Sequence, residues 1–306
     1  MDFFDWNQLF DRVPPEWRAT QGKGIRLALL DSGLNFEHLA LQHLMQSGHK
    51  FWITRPAGPL PDGNDEVVDT TGHGTGMASI LVGQPEDEAQ GMRGVAPQTE
   101  LFILKIRRPA LGYLAEDVLT ALRQAVKLRV DIIVCGILPG EADLLSQGAI
   151  QAVFEDLETK HIMLFAALEN TSNFIRMNEL RFPCNQAGSI VTGSVTGVLP
   201  QLPLPTSVFH PRVEFLHSSA TVTFATKEGG YKLPPVTSTC STAVAALAGV
   251  AALAMAHWKA EEGDAYRRRS RAEVLAALRA CFPIYRVVDV MNATKPQFFH
   301  LSDPEV

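Results

Sequence analysis

The stretch "IRLALLDSGL" at residues 25–34 decides the fold. Apart from Arg26 its opening is apolar without alternation, and the run stops at Asp31, Ser32 and Gly33. An uninterrupted apolar run closed by turn residues describes a strand buried on both faces of a sheet. "LFILKI" (101–106), "DIIVC" (131–135), "IMLFAA" (162–167) and "SIVTGSV" (189–195) read the same way. Segments with helical periodicity lie among them and after them, at 115–128, 142–158, 241–260 and 271–281. Alternating strands and helices predict an α/β fold with a parallel sheet and right-handed crossovers. Reactive groups in such sheets collect beyond the carboxyl ends of the strands. The polar residues at those ends therefore carry the functional reading.

With 306 residues, 46% hydrophobic and 20% charged, the chain is long enough to bury a substantial core. A formal net charge of −6 gives no footprint for nucleic acid. The one basic cluster, "YRRRSR" (266–271), precedes a helical segment and reads either as a solvated helix end or as a docking patch. Cys135, Cys184, Cys240 and Cys281 have no CxxC spacing, which argues against a disulfide framework or a cysteine metal site and for a reducing compartment. The acidic start "MDFFDWNQLFDRVPPEW" lacks a basic region followed by an apolar core, so it is not a secretory signal. The longest apolar run, Ala243 to Ala256, falls short of the roughly 18 residues that suggest a membrane span. The expectation is a cytoplasmic protein with neither a nucleic-acid nor a membrane partner. No internal repeat appears, and the Pro-rich "VLPQLPLPTSVFHP" (198–211) reads as a surface loop within one domain.

Three stretches place polar groups where chemistry is expected. In "LALLDSGL" (27–34), Asp31 ends a strand before a tight turn; alone, such an Asp is a cap or turn former. In "DTTGHGTGMAS" (69–79), His73 lies between two glycines at the start of a helix, and glycine on both sides lets another group approach the imidazole. In "VTSTCSTAVAALAGVAALAMAH" (236–257), Ser241 opens the most apolar helix, where first-turn N–H groups are free to face an anion. Alone, Ser241 reads as a helix cap. The three together carry more than each does singly.

These segments resemble the subtilisin-like serine proteases, whose triad runs Asp, His, Ser along the chain. "PPEWRATQGKGIRLALLDSGL" looks like the family's opening segment and Asp motif, "GHGTGMAS" like its His motif, and "TCSTAVAALAG" like its Ser motif "GTSxAxPxxAG". "RGVAPQTELFILKI" (93–106), "FPCNQAGSIVTGSV" (182–195) and "YRVVDVMNAT" (285–294) match the intervening and closing segments. The resemblance implies a three-layer α/β fold with a mostly parallel central sheet flanked by helices, in a single catalytic domain over 1–306. It implies Ser241 as nucleophile, His73 as base and Asp31 as its support. "LFAALEN" (164–170), like the family's "VAAAGN", implies Asn170 as a side-chain oxyanion donor. Catalysis by this set needs no cofactor or metal, and the expected partner is a protein or peptide substrate.

Departures from the family pattern gather around the same residues. Thr239 stands where the family has Gly and Ala245 where it has Pro. Cys240, beside Ser241, should point away from the site. The substrate pocket is expected from Gly136, Ile137 and Leu138 on one side and Ala167, Leu168 and Glu169 on the other. Leu138 and Glu169 replace glycines, which narrows the pocket and puts a carboxylate at its rim. The opening motif lies within about 20 residues of Met1, so no folding prodomain is expected, and latency would then need a regulatory protein partner. "QPEDEAQG" (84–91) overlaps a loop where relatives bind calcium, making Asp87 and Glu88 candidate ligands for a structural ion. Two functions follow: an intracellular endopeptidase of narrow specificity, or an inactive fold of this family that binds protein.

Overall fold

The computed structural model describes residues 11–46, 51–55, 58–60, 68–84, 93–108, 111–140, 145–170, 179–199, 202–205, 210, 212–218, 224–232, 240–281, 285–287 and 298–300. In chain order its principal elements are helix α1 (Pro15–Thr20), strands β1 (Arg26–Asp31), β2 (Phe51–Arg55) and β3 (Gly58–Leu60), helix α2 (His73–Val82) and strand β4 (Glu100–Lys105). A small hairpin, β5 (Arg107–Arg108) and β6 (Gly112–Tyr113), leads into helix α3 (Ala115–Leu128), strand β7 (Ile132–Cys135), helix α4 (Gln147–Thr159) and strand β8 (Met163–Ala167). Strands β9 (Ser189–Leu199), β10 (Leu202–Pro205) and β11 (Phe215–Ser218) follow, then the hairpin β12 (Phe224–Ala225) and β13 (Tyr231–Lys232), and helices α5 (Cys240–Glu262) and α6 (Arg271–Cys281).

The main sheet runs β10-β9-β8-β7-β1-β4-β2-β3, with β11 also paired to β9. From β9 through β2 every neighbouring pair is parallel; β10 and β3 are antiparallel additions at the two edges. Strand β1 sits in the middle, and Leu29 lies opposite Ile103 of β4 and Val134 of β7. Continuous apolarity in β1 serves two cores at once. Leu27 and Leu29 face α2, α5 and α6 in one cluster with Ile103, Val134 and Phe165; Ala28 and Leu30 face α3 and α4 in the other with Phe102, Leu104 and Ile133. The period-two alternation of a strand thus divides a uniformly apolar sequence between two helical layers.

Helix α5 is apolar all round because it is buried all round. It packs on β7, β8 and β9, against α1 and α2 on one side and α6 on another. By length and composition its Cys240–Arg268 stretch would cross a membrane, yet 94% of the qualifying window is buried inside the fold, which marks it as a core helix.

Three expectations are corrected here. The segment 198–211 is not a loop throughout: β9 extends to Leu199 and β10 pairs with it antiparallel. The prolines of "LPLP" are accommodated because β10 is an edge strand, where one side of the backbone needs no ladder bond. The helix expected from 142 begins at Gln147. In the basic cluster, Arg267 pairs with Asp131, Arg269 with Glu262 and Glu273, and Arg271 with Glu214. These arginines tie the chain between α5 and α6 to the body of the protein rather than forming a free docking patch.

Gly249 marks the tightest approach of α5 to its surroundings. A methyl group there would stand 2.6 Å from Val95 Cβ and 2.9 Å from its Cγ1, closer than van der Waals contact allows. Gly249→Ala should therefore destabilise the protein by about 1–3 kcal/mol despite alanine's better helix propensity. Urea unfolding checks this, and combination with Val95→Gly should cost less than the sum of the two single changes.

Candidate active site

Asp31 ends β1 with no exposed surface. Its carboxylate accepts a hydrogen bond from the Ser32 N–H at 2.7 Å, and both its oxygens lie within reach of His73 Nδ1, at 2.8 and 2.9 Å. His73 is the first residue of α2, and the preceding Gly72 adopts φ +88°, a left-handed conformation that favours glycine. Gly74 is required for a different reason. A Cβ there would lie 2.1 Å from the Gly33 carbonyl oxygen, so only glycine lets α2 approach the β1 turn closely enough for the imidazole to meet Asp31.

Gly136, just past β7, locates the third partner. A methyl group on it would stand 3.4 Å from Ser241 Cβ, 3.5 Å from His73 Cε1 and 3.8 Å from Asp31 Oδ2. The carboxyl ends of β1 and β7 and the starts of α2 and α5 thus converge on one point. Ser241 lies in the first turn of α5, where the N–H groups have no intrahelical partner. Asn170, three residues past β8, reaches the same helix end: its Oδ1 accepts from the Cys240 N–H at 3.0 Å. With its oxygen so engaged, the amide has its two N–H donors left for other partners.

Burial works against a charged His73 imidazole, but the Asp31 carboxylate, through charge and hydrogen bond, and the charge of Asp69 outweigh it and hold its pKa above 6.5. About a third of the side chain (34%) faces solvent. The cysteines stay out of the cleft. All four are free and buried. Cys240 Sγ lies 3.2 Å from Ser194 Oγ on β9, and burial pushes the Cys135 thiol up to about 12.

The expected pocket residues divide into two groups. Ile137, Ala167 and Leu168 are buried in the two cores, which leaves their side chains little surface to offer a ligand. Leu138 is half-buried against the α5-side core, and Glu169 is half-exposed. Glu169 Oε2 lies 3.8 Å from Arg181 Nε, so the rim carries a cation as well as the carboxylate. Thr239, Asp87 and Glu88 lie outside the described residues. Ala245 is buried within an unbroken α5. Among the described residues no group of three or more His, Cys, Asp or Glu side chains is arranged to hold a metal ion.

Asp69 is the residue that sequence reasoning passed over. It is 4% exposed and sits four positions before His73, receiving hydrogen bonds from both sides of the turn into α2. An Asp followed by two threonines and a glycine ahead of a helix is a loop-capping pattern, which was the available signal. Arg181 had none, because nothing local ties it to Glu169.

The sequence profile of the Subtilase family matches residues 22–277. The chain is 29% identical over 187 residues to the major intracellular serine protease of Bacillus subtilis strain 168, a match covering 60% of this chain and 56% of that protein. It is 26% identical over 173 residues to an intracellular serine protease of Paenibacillus polymyxa, covering 56% of this chain and 50% of that one. The matches thus span about half the length of these relatives. Among solved structures, sphericase superposes with a TM-score of 0.63 at 18% identity, covering 87% of this chain and 88% of its own. The prenylagaramide maturation protease PagA does so at 0.61 and 20%, covering 83% and 82%. Both likenesses agree with the three-layer, mostly parallel architecture, and with the family profile they identify this chain as a member of the subtilase family.

Proposed function

We propose that the protein is an intracellular serine endopeptidase that hydrolyses peptide bonds in a protein or peptide substrate through Asp31, His73 and Ser241. One observation carries this reading: Ser241, His73 and Asp31 all lie within 4 Å of a single point above Gly136. Asp31 occupies Nδ1 of His73, which leaves Nε2 as the acceptor for the Ser241 hydroxyl proton. Ser241 Oγ then attacks the carbonyl carbon, and Asn170 and the Ser241 N–H stabilise the resulting oxyanion. The proton returns from His73 to the leaving amine, and a water molecule repeats the sequence to release the acyl group. The cytoplasm is the compartment that fits the names of the relatives and the four free thiols.

Narrow specificity follows from Leu138 and Glu169, which would crowd and charge the expected pocket. The Glu169–Arg181 pair qualifies that view: a basic substrate side chain must compete with Arg181 for the carboxylate. A latent state released by a partner protein belongs to the same proposal. The alternative of an inactive, protein-binding member of the family has to explain why Asp31, His73, Ser241 and Asn170 are brought together.

Labelling with a fluorophosphonate probe tests the reading. Wild type should be labelled, Ser241→Ala should not, and Cys240→Ala should be labelled normally because its thiol faces β9. Absence of Ser241-dependent labelling, with and without cellular partners, would favour the binding module. Because the base must be neutral, the labelling rate should fall with decreasing pH, with a midpoint above 6.5. Asn170→Ala should lower kcat by about 10²–10³, the loss typical of one missing oxyanion donor. Arg181→Ala should raise kcat/KM for peptides with Lys or Arg before the scissile bond by up to about fivefold, the worth of an exposed ion pair.

A further inference from the structure

The geometry points to Asp69 as a positioning residue for the reaction, a second buried carboxylate that holds the backbone on both sides of His73 in place beside Asp31 and adds negative charge to its surroundings. Oδ1 of Asp69 accepts from Ser32 Oγ (2.8 Å), Thr71 N (2.9 Å), Thr71 Oγ1 (3.1 Å) and Gly72 N (2.9 Å). Its Oδ2 accepts from Thr75 N (2.9 Å) and Thr75 Oγ1 (2.8 Å). Apart from Ser32, which follows β1, these donors lie on both sides of His73 in sequence, on the turn before α2 and in its first turn, so the carboxylate clamps the backbone that carries the imidazole.

Ser32 joins the two acids. Its N–H donates to Asp31 and its hydroxyl to Asp69, while the same oxygen accepts from Gly74 N at 2.9 Å. Any displacement of α2 relative to β1 would break bonds to both carboxylates. Thr75 Oγ1 in turn accepts from Asn35 N, extending the lock along the turn after β1.

All six donors to Asp69 are neutral, so its charge is solvated by the protein without being cancelled. Burial alone would push its pKa up, but the N–H groups of Thr75 and Gly72, the Ser32 hydroxyl and the Thr71 N–H hold it below the ordinary value. The nearby cations grip the loop from outside: Lys105 through the Val68 carbonyl, Arg107 through the Thr70 hydroxyl and Lys227 through the Thr70 carbonyl. On the β6 side, Tyr113 lies against Ser32 and Thr71, its phenol neutral because burial raises its pKa. Of the carboxylates, Asp31 contacts His73 from β1, and the charge of Asp69 acts on it from the loop before α2. A charge so placed favours the imidazolium that forms as Ser241 attacks.

The inference rests on His73 serving as the base of the proposed reaction, and its test is chosen to separate the two. The His73 imidazole is titrated by NMR in the full chain, assigned by comparison with His73→Gln, alongside the pH dependence of fluorophosphonate labelling. Asp69→Asn keeps the size, removes the charge and turns one of the two acceptor oxygens into a donor. It should lower the His73 midpoint by about half a unit to one unit and slow labelling at least about tenfold on the plateau above that midpoint. A folded Asp69→Asn protein with the wild-type midpoint overturns the inference, whether or not Ser241 is labelled. A shifted midpoint in a protein that is never labelled shows the charge coupling to His73 but overturns the protease reading, and with it the part Asp69 is given in the reaction. If Asp69→Asn fails to fold, Ser32→Ala decides, since it cuts the link between the acids and leaves both charges. It should weaken the far-downfield Nδ1 proton signal of His73, and a signal identical to wild type overturns the inference.

Discussion

A carboxylate with no exposed surface ends the central strand, and the neighbourhood is arranged to meet its cost. An isolated buried charge is strongly unfavourable unless donors come to it. Asp31 receives the Ser32 N–H and His73 Nδ1. For the imidazole to arrive, α2 must start against the turn after β1, which demands glycine at position 74. The turn into α2 then needs its own anchor, which Asp69 provides from within. Satisfying one buried group sets the conformation of two loops and the pose of a helix.

The parallel sheet makes this possible at one edge. Strands β1, β7 and β8 run in the same direction, so Asp31, Gly136 and Asn170 all emerge at their carboxyl ends. Helix α5 is held under that edge by burial along most of its length, and its first turn carries Ser241 to the point where the strands end. The apolar helix is therefore part of the site's machinery. Its packing against Val95 and the sheet fixes the height at which the serine stands.

The sequence makes the layered parts of this design legible and the lateral parts obscure. Strands β7 and β8 are fully buried, and β1 and β4 are buried apart from the charged residues at their ends, so all four are written around apolar runs recognisable without any partner. Strands β2, β3 and β10 lie toward the sheet's edges, are short, and in β10 carry prolines, so their existence depends on neighbours that a linear reading does not see. Asp31, His73, Ser241 and Asn170 could be singled out because each sits at the end of such a run or the start of a helix, as a familiar motif. Asp69 lay within a quoted motif yet had no periodicity to betray it, since its role comes from six bonds that converge in three dimensions. Arg181 pairs with Glu169 from a distant position in the sequence, with no local pattern to announce it. The arginines at 267, 269 and 271 show the reverse case, where a conspicuous, partly solvated charge run also makes ion pairs within the fold.

The end of α5 also explains how a nucleophile and a thiol can be adjacent without competing. Consecutive helical residues point about 100° apart, so Cys240 and Ser241 cannot both face the cleft. Cys240 turns toward Ser194 on β9, its backbone N–H held by Asn170. That one bond orients the Asn170 amide, leaving its donors beside the first turn of the helix. The group that holds the start of α5 is thereby the group proposed as the oxyanion donor, so in that proposal the helix start and the reaction draw on opposite ends of a single side chain.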